Sequence, residues 1–317
     1  TRIYIFYLSF VMAIFLSTIA IGQETISIDN IDTNNLLSID AVKIWIGTTK
    51  DWEIPTNWSP AGVPGNRDDI NIPTSPTGGN MPTISAGDFS VRKLTIAPSA
   101  ELTQSGGSLT TTGDITIFGS FIQSSGMLTT NRSQTDIEGG YMLIGGTFSG
   151  NDLNVTLNGT INVSGILTTN GNKIIINAGT FLQSGGIVST KDIELNNGGV
   201  YNQTSGELQI AHDLKIPTGT TFTSTEGTVR FIGNQGGGAD YSGNVQFYDV
   251  IIDVGGKLSM NKDSDNILIA GNFINYNPNL DNTKGTVLFN GTSPQTISSV
   301  STPPSSITTF GNLVVSN

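Results

Sequence analysis

The chain carries 317 residues, 36% of them hydrophobic and only 12% charged, with a net charge of −11 and no cysteine. The missing cysteines exclude disulfides, thiol catalysis and thiolate metal sites together. The acidic balance repels phosphodiester backbones and anionic lipid headgroups, so nucleic acid and membrane surfaces are not expected partners.

Residues 1–22 read as a secretion signal peptide. Arg2 supplies a positive start, Ile3 to Ile19 is almost wholly apolar, and Ala20-Ile-Gly22 sets small residues ahead of a cut before Gln23. An uncleaved anchor is the competing reading, because the apolar run approaches spanning length. Cleavage leaves nothing inserted in the membrane, and without cysteine the product carries no lipid-modified terminus. The expected location is secreted, extracellular or on the outer cell surface. Thr1 in place of Met, and an apolar run Leu313-Val-Val315 just before Asn317, lead to the expectation of a longer natural chain. Residues 23–42 follow as a polar leader rich in Asp and Asn.

Residues 43–88 hold all three tryptophans, in Trp45-Ile-Gly47, Asp51-Trp52 and Asn57-Trp58-Ser59, ahead of Val63-Pro64 and Asp68-Asp-Ile-Asn-Ile72. Large aromatic side chains at the start of a stack suit a cap over exposed core and strand edge. The rival is a sugar-stacking platform of Trp45, Trp52 and Trp58, since flat aromatic faces are common ligand anchors.

Residues 89–226 repeat two phrases. The first is Leu102-Thr-Gln104-Ser-Gly-Gly107, Phe121-Ile-Gln123-Ser-Ser-Gly126, Phe181-Leu-Gln183-Ser-Gly-Gly186 and Tyr201-Asn-Gln203-Thr-Ser-Gly206, with glutamines 19, 60 and 20 residues apart. The second is Lys93-Leu-Thr-Ile96, Asp114-Ile-Thr-Ile117, Asp152-Leu-Asn-Val155, Lys173-Ile-Ile-Ile176, Asp192-Ile-Glu-Leu195 and Asp213-Leu-Lys-Ile216. Leu94 to Leu214 spans 120 residues, six turns at the spacing of the glutamines. Both phrases alternate apolar with polar residues and stop at Gly, Asn or Ser, as half-buried strands do. Twenty residues at about 3.3 Å each make a loop of roughly 66 Å, enough for three short strands and three corners, with successive coils about 4.8 Å apart.

The predicted fold is therefore all-β, a parallel β-helix or β-solenoid of about 20 residues per coil. Right-handed winding is the default for parallel crossovers in one sheet. The 39 glycines fit corners with positive φ. Stacked in register, Gln104, Gln123, Gln183 and Gln203 form a structural amide ladder, with an exposed binding stripe as the functional alternative.

Residues 227–317 read as irregular coils with long loops at 232–246 and 290–309. A longer unit occurs twice: Gly227-Thr-Val-Arg-Phe231 leads to Phe247-Tyr-Asp-Val-Ile-Ile252, and Gly285-Thr-Val-Leu-Phe289 leads to Phe310-Gly-Asn-Leu-Val-Val315, the two glycines being 58 residues apart.

With these motifs, most of residues 43–317 resembles large exported β-solenoid surface or adhesin-like proteins of Bacteroidetes, associated with type IX secretion. The tryptophan series looks like their N-terminal module, and the Gly-Thr-Val-x-Phe-x-Gly phrases, the second continued by Ser293-Pro-Gln-Thr-Ile297, look like their later units. The resemblance implies secretion and a surface role. The C-terminal sorting domain common in such proteins is not seen in this chain.

Chemistry has little material. His212, the only histidine, reads as a solvated corner residue, leaving no triad and no two-histidine metal site. A carboxylate site of a β-helix lyase or glycoside hydrolase would need clustered acids. Asp114, Asp152, Asp192 and Asp213 recur at one address, but Lys93 and Lys173 share it, as at a tolerant solvent corner. Asp263 and Asp265 weakly resemble a calcium loop, with Asn272 where the bidentate Glu belongs. Asp240 stands alone after Gly236-Gly-Gly238, a run that lacks the following Lys-Ser/Thr of a phosphate loop. Thr110, Thr129 and Thr168, continued by Ser189 and Gln209, offer an ice-binding alternative, although Thr111, Thr130 and Thr169 next door should face inward.

The sequence thus predicts a secreted, noncatalytic structural or adhesive rod without cofactors. Surface glycans or other cell-surface proteins are its expected partners, met through the long loops or the tryptophan module.

Overall fold

The computed structural model describes residues 41–131, 133–233, 241–278, 281–299 and 309–316. The signal segment, nearly all of the polar leader and parts of both long loops, Asp240 and Gly236–Gly238 included, lie outside these residues.

The fold is a β-solenoid of about eleven turns, about 20 residues each. A regular turn lays down three strands: Ile115–Ile117, Ser120–Gln123 and Met127–Thr130, followed one turn on by Thr135–Glu138, Tyr141–Ile144 and Thr147–Ser149. Each strand pairs in parallel with its counterparts on the neighbouring turns, so Leu102, Phe121 and Met142 fall in one column and Leu109, Leu128 and Phe148 in another. One side of the coil makes a ten-stranded sheet and the other two a 21-stranded sheet. The described residues contain no helix long and apolar enough to cross a membrane.

Inward residues alternate with outward ones along every regular strand, and the inward columns close one continuous core. In the smaller sheet the column runs Leu94, Ile115, Thr135, Leu153, Ile174, Ile193 and Leu214. Thr135 marks a turn that the repeated apolar phrases do not mark, because it carries a hydroxyl at an apolar address. In the larger sheet the rings of Phe181, Tyr201 and Phe222 stack face to face at 4.7 and 4.8 Å, within 10° of parallel. Stacking at the rung spacing follows from identical addresses on successive turns.

Sharp corners account for the glycine count. Gly107, Gly126, Gly186 and Gly206 all hold φ between +60° and +88°, a region that costs other residues about 1–2 kcal/mol. Their contacts are as restrictive as their backbone: a Cβ on Gly186 would lie 1.8 Å from the Gly165 carbonyl oxygen of the turn below.

At the N-terminal end, Val42–Trp45 pairs in parallel with Asp69–Ile72 but antiparallel with the two-residue strand Trp58–Ser59. That short strand covers the edge of the smaller sheet. Among the described residues the smaller sheet ends at Leu214–Lys215, and every later strand joins the larger one.

The two similar late units occupy different sides of the coil. Thr228–Phe231 stacks on Asp249–Ile252, in the column of Phe273–Asn275 and Ile297–Ser299. Residues 286–289 stack instead on 312–315 and on Asn266–Ile269, which belongs to the column of Asn244–Phe247. Within each unit the two strands are neighbours on successive turns, but the 58-residue offset does not return the chain to the same side.

Candidate functional site

Trp45, Trp52 and Trp58 are each 1% exposed. Trp58 meets Trp45 and Trp52 edge-on at 4.9 and 4.7 Å, and Trp52 leans on Phe89 at 6.1 Å. Trp45 Nε1 donates to Asn80 O at 2.6 Å and Trp58 Nε1 to Trp52 O at 2.9 Å. Buried Asn57 ties the surrounding loop, donating to Thr49 Oγ1 and Asp51 O and accepting from Thr49 N. The ligand-stacking role considered for the tryptophans is corrected by this placement: their faces are covered by one another and by the neighbouring core. Beside them lies a half-enclosed hollow of about 260 Å³, lined among others by Asp51, Trp52, Glu53, Ile54 and Phe89.

The glutamines also point inward. Gln104, Gln123, Gln183 and Gln203 are fully buried, which rules out an exposed stripe. Each Nε2 reaches a carbonyl of its own corner and one of the next turn: Gln104 to Gly107 and Met127, Gln123 to Gly126 and Thr147, Gln183 to Gly185 and Glu207, Gln203 to Gly206 and Thr228. Amide-to-amide contact occurs at Gln123 Nε2 to Gln104 Oε1, 3.1 Å. The column between them and Gln183 is filled by Ile144 and Val163. Their main task is to bond the carbonyls of the corners, most of them part-buried, rather than one another.

Thr110, Thr129, Ser149, Thr168 and Ser189 form one outward column, while Thr111, Thr130 and Thr169 are buried. Asp263 is exposed and Asp265 fully buried. Asp265 Oδ2 accepts the amides of Asn261 and Lys262 at 3.2 and 3.1 Å, closing a turn. The metal role read for Asp263 and Asp265 is corrected accordingly: one carboxylate faces solvent and the other holds its own loop.

The recurrent aspartates share one column, in the order Asp114, Gln134, Asp152, Lys173, Asp192 and Asp213. Gln134 and Lys173 separate the first three acids by two rungs each, about 10 Å. Each of these carboxylates accepts the backbone amide one turn up: Asp114 from Gln134, Asp152 from Lys173 and Asp192 from Asp213. The corner is thus an inter-rung stitch.

Only at the top of the column do side chains converge. Among the described residues, Asp192, His212 and Asp213 are the one group of three or more acidic or imidazole side chains whose ligand atoms lie together, within 4.8 Å. His212 Nδ1 stands 2.7 Å from Asp192 Oδ1 and 3.3 Å from Asp213 Oδ1. The histidine is a half-buried member of a charged cluster, not a freely solvated corner. Lys191 and Lys215 approach the outer oxygens, at 3.9 Å from Asp192 Oδ2 and 3.6 Å from Asp213 Oδ2. Lys215 is also held by Glu194 at 3.0 Å. Burial works against the charge on Glu194, and its bonds to Lys215 and Lys173 overcome that and hold its carboxyl below the ordinary range.

Comparisons with protein-family models, curated proteins and solved structures return no match.

Proposed function

We propose that the chain is a noncatalytic, structural or adhesive module of an exported bacterial surface protein, similar in role to the Bacteroidetes solenoids that it resembles. The observation that carries this reading is the use made of the recurrent polar groups. Asp114, Asp152 and Asp192 bond the amide one turn up, and the four buried glutamines bond corner carbonyls of their own and the next turn. Residues that recur to hold rungs together serve the length and stiffness of a rod, since each turn draws its stability from its neighbours. On this reading the product is secreted, and adhesive contact with glycans or surface proteins uses the hollow beside Trp52 and the long loops.

A glycan array run together with a depolymerisation assay on acidic and neutral polysaccharides tests the proposal. Retention of one glycan class, or of none, without release of product is the expected result. Release of unsaturated uronides or new reducing ends in proportion to protein would overturn it in favour of a β-helix lyase or hydrolase.

A further inference from the structure

We infer that Asp192, His212 and Asp213 form a binding site for one divalent transition-metal ion, with Zn²⁺ the best-fitting class. The donor set is one imidazole nitrogen and two carboxylate oxygens, a mixture that suits zinc, whereas calcium takes oxygen donors alone. Tetrahedral metal bonds of about 2.0–2.2 Å set neighbouring ligand atoms roughly 3.3–3.6 Å apart. The separations from His212 Nδ1, 2.7 Å to Asp192 Oδ1 and 3.3 Å to Asp213 Oδ1, lie below and at the lower end of that range, and all three donor atoms fall within 4.8 Å of one another, so small side-chain rotations bring them to one ion.

A second observation points to a missing ligand. Asp213 is 8% exposed, and its Oδ1, the oxygen aimed at His212, has no hydrogen-bond partner. The lower aspartates of the column bond an amide of the turn above, and Asp192 does so through Asp213 itself. Among the described residues Asp213 is the last of that column, and the smaller sheet reaches no further than Leu214–Lys215. A buried carboxylate oxygen without a hydrogen bond is costly, and a cation between it and His212 Nδ1, 3.3 Å away, recovers most.

Neighbouring charges permit the ion. Both lysines sit on the outer oxygens, so Oδ1 of each aspartate faces the centre. Lys215 keeps its 3.0 Å bond to Glu194 when Asp213 turns to a metal, and the half-exposed Lys191, 3.9 Å away, is free to swing into water. His212 and Asp192 retain 24% and 16% side-chain exposure, which leaves a path for entry. Zn²⁺ takes the lone pair of Nδ1 in the neutral tautomer that carries its one proton on Nε2, and water completes the coordination.

The test uses the chain without a histidine tag, so that His212 remains its only imidazole. Zn²⁺ titrated at neutral pH is followed by calorimetry and by the ¹⁵N-resolved ring signals of that single histidine. The expected result is one saturating equivalent, with the ring signals moving to a bound position. Affinity falls at least about tenfold in D213N and in H212Q, stays unchanged in D265N, and is far weaker for Ca²⁺ in the wild-type chain. Absence of saturable binding, or saturation with the ring signals unmoved, overturns the inference without any variant. Wild-type affinity in H212Q with a native circular-dichroism spectrum overturns it as well.

Discussion

Between Lys93 and Ile210 each turn lays strand on three sides, two of them joined into one long strand at Thr180–Thr190 and Val200–Ile210, whereas from Thr221 to Val315 the described turns pair on two sides, both in the larger sheet. The regular turns close their third side with a parallel strand, so the path from one rung to the next is fixed by strand geometry and the sequence period holds near 20. In the later turns the third side carries no strand at residues 253–265, and path length is free there. Thr228 meets its partner at Asp249, but Val250 meets Phe273 and Ile274 meets Ser298, so the spacing drifts. The core nevertheless runs on through Phe231, Phe247, Phe273 and Phe289. Two aligned sides suffice to carry a solenoid core, and the third side sets its rhythm.

The later turns meet the same polar requirement with different residues. Asp249 Oδ1 accepts the Asn272 amide at 2.6 Å, the aspartate stitch moved to another corner. Gln295 donates to Ile269 O and Gly271 O, and buried Asn277 donates to Gly256 O. Each is a single loop solution, in contrast to the repeated glutamine corners.

The largest effect is expected where the two regions meet. Phe222 stacks on Tyr201 and meets Phe247 edge-on at 5.4 Å. F222A should cost about 3–5 kcal/mol. Tryptophan fluorescence reports only the N-terminal cap, because all three indoles lie there, while circular dichroism reports every turn. In urea, F222A should shift the dichroism transition well below the fluorescence transition, as expected for turns coupled only to their neighbours. Coincident transitions would show one cooperative unit and dissolve the distinction between the regions.

A pair of glycines sharpens the comparison at the corners. Gly186, in the regular coils, combines φ of +60° with the 1.8 Å approach to Gly165 O, whereas Gly219, at the start of the later turns, has φ of +86° and no atom within 4 Å. G219A should cost only the backbone term, about 1–2 kcal/mol. G186A adds displacement of a packed carbonyl and should exceed that by about 1–3 kcal/mol. Equal midpoints for the two variants in denaturant would contradict the closed-corner description.

How much of this was legible in the sequence depends on whether an address repeats its residue type. The glutamines and the apolar strand phrases repeat and so revealed coil, period and strand positions. The turn at Thr135–Glu138 did not, because its inward residue is a threonine, and Ile144 and Val163 hid the glutamine column for two turns. The inward aim of the tryptophans depends on how the loop around Asn57 folds, which no local pattern encodes. The His212 cluster was within reach of the period: Asp192 lies opposite Asp213 on the next rung, and His212 N donates to Lys191 O. What the period alone lacks is the rotamer that turns His212 toward both acids.

Next in size is Y201F. The Tyr201 hydroxyl donates to Gln183 Oε1 at 2.8 Å inside the aromatic stack. Phenylalanine keeps the stacking and leaves that buried oxygen unpaired, a loss of about 1–3 kcal/mol. A variant as stable as wild type would show that the stack, not the polar contact, holds this part of the regular coil.

The smallest effect is one of pH, and it compares a tyrosine from each region. Burial pushes the Tyr201 phenol well above its ordinary value of 10.0, and burial with the negative charges of Asp265 and Asp213 pushes Tyr241 up as well. A phenol whose folded value is raised keeps its proton after the unfolded chain has lost it. The stability it contributes is therefore complete below pH 10 and declines as pH rises toward the folded value. Each such tyrosine steepens the loss by up to about 1.4 kcal/mol per pH unit above pH 10. Urea midpoints between pH 9 and 11 should fall for the wild-type chain and fall less steeply for Y201F, with Tyr241 retaining its share. An unchanged slope in Y201F would mean that the regular stack admits hydroxide or water, and that its core is less sealed than that of the later turns.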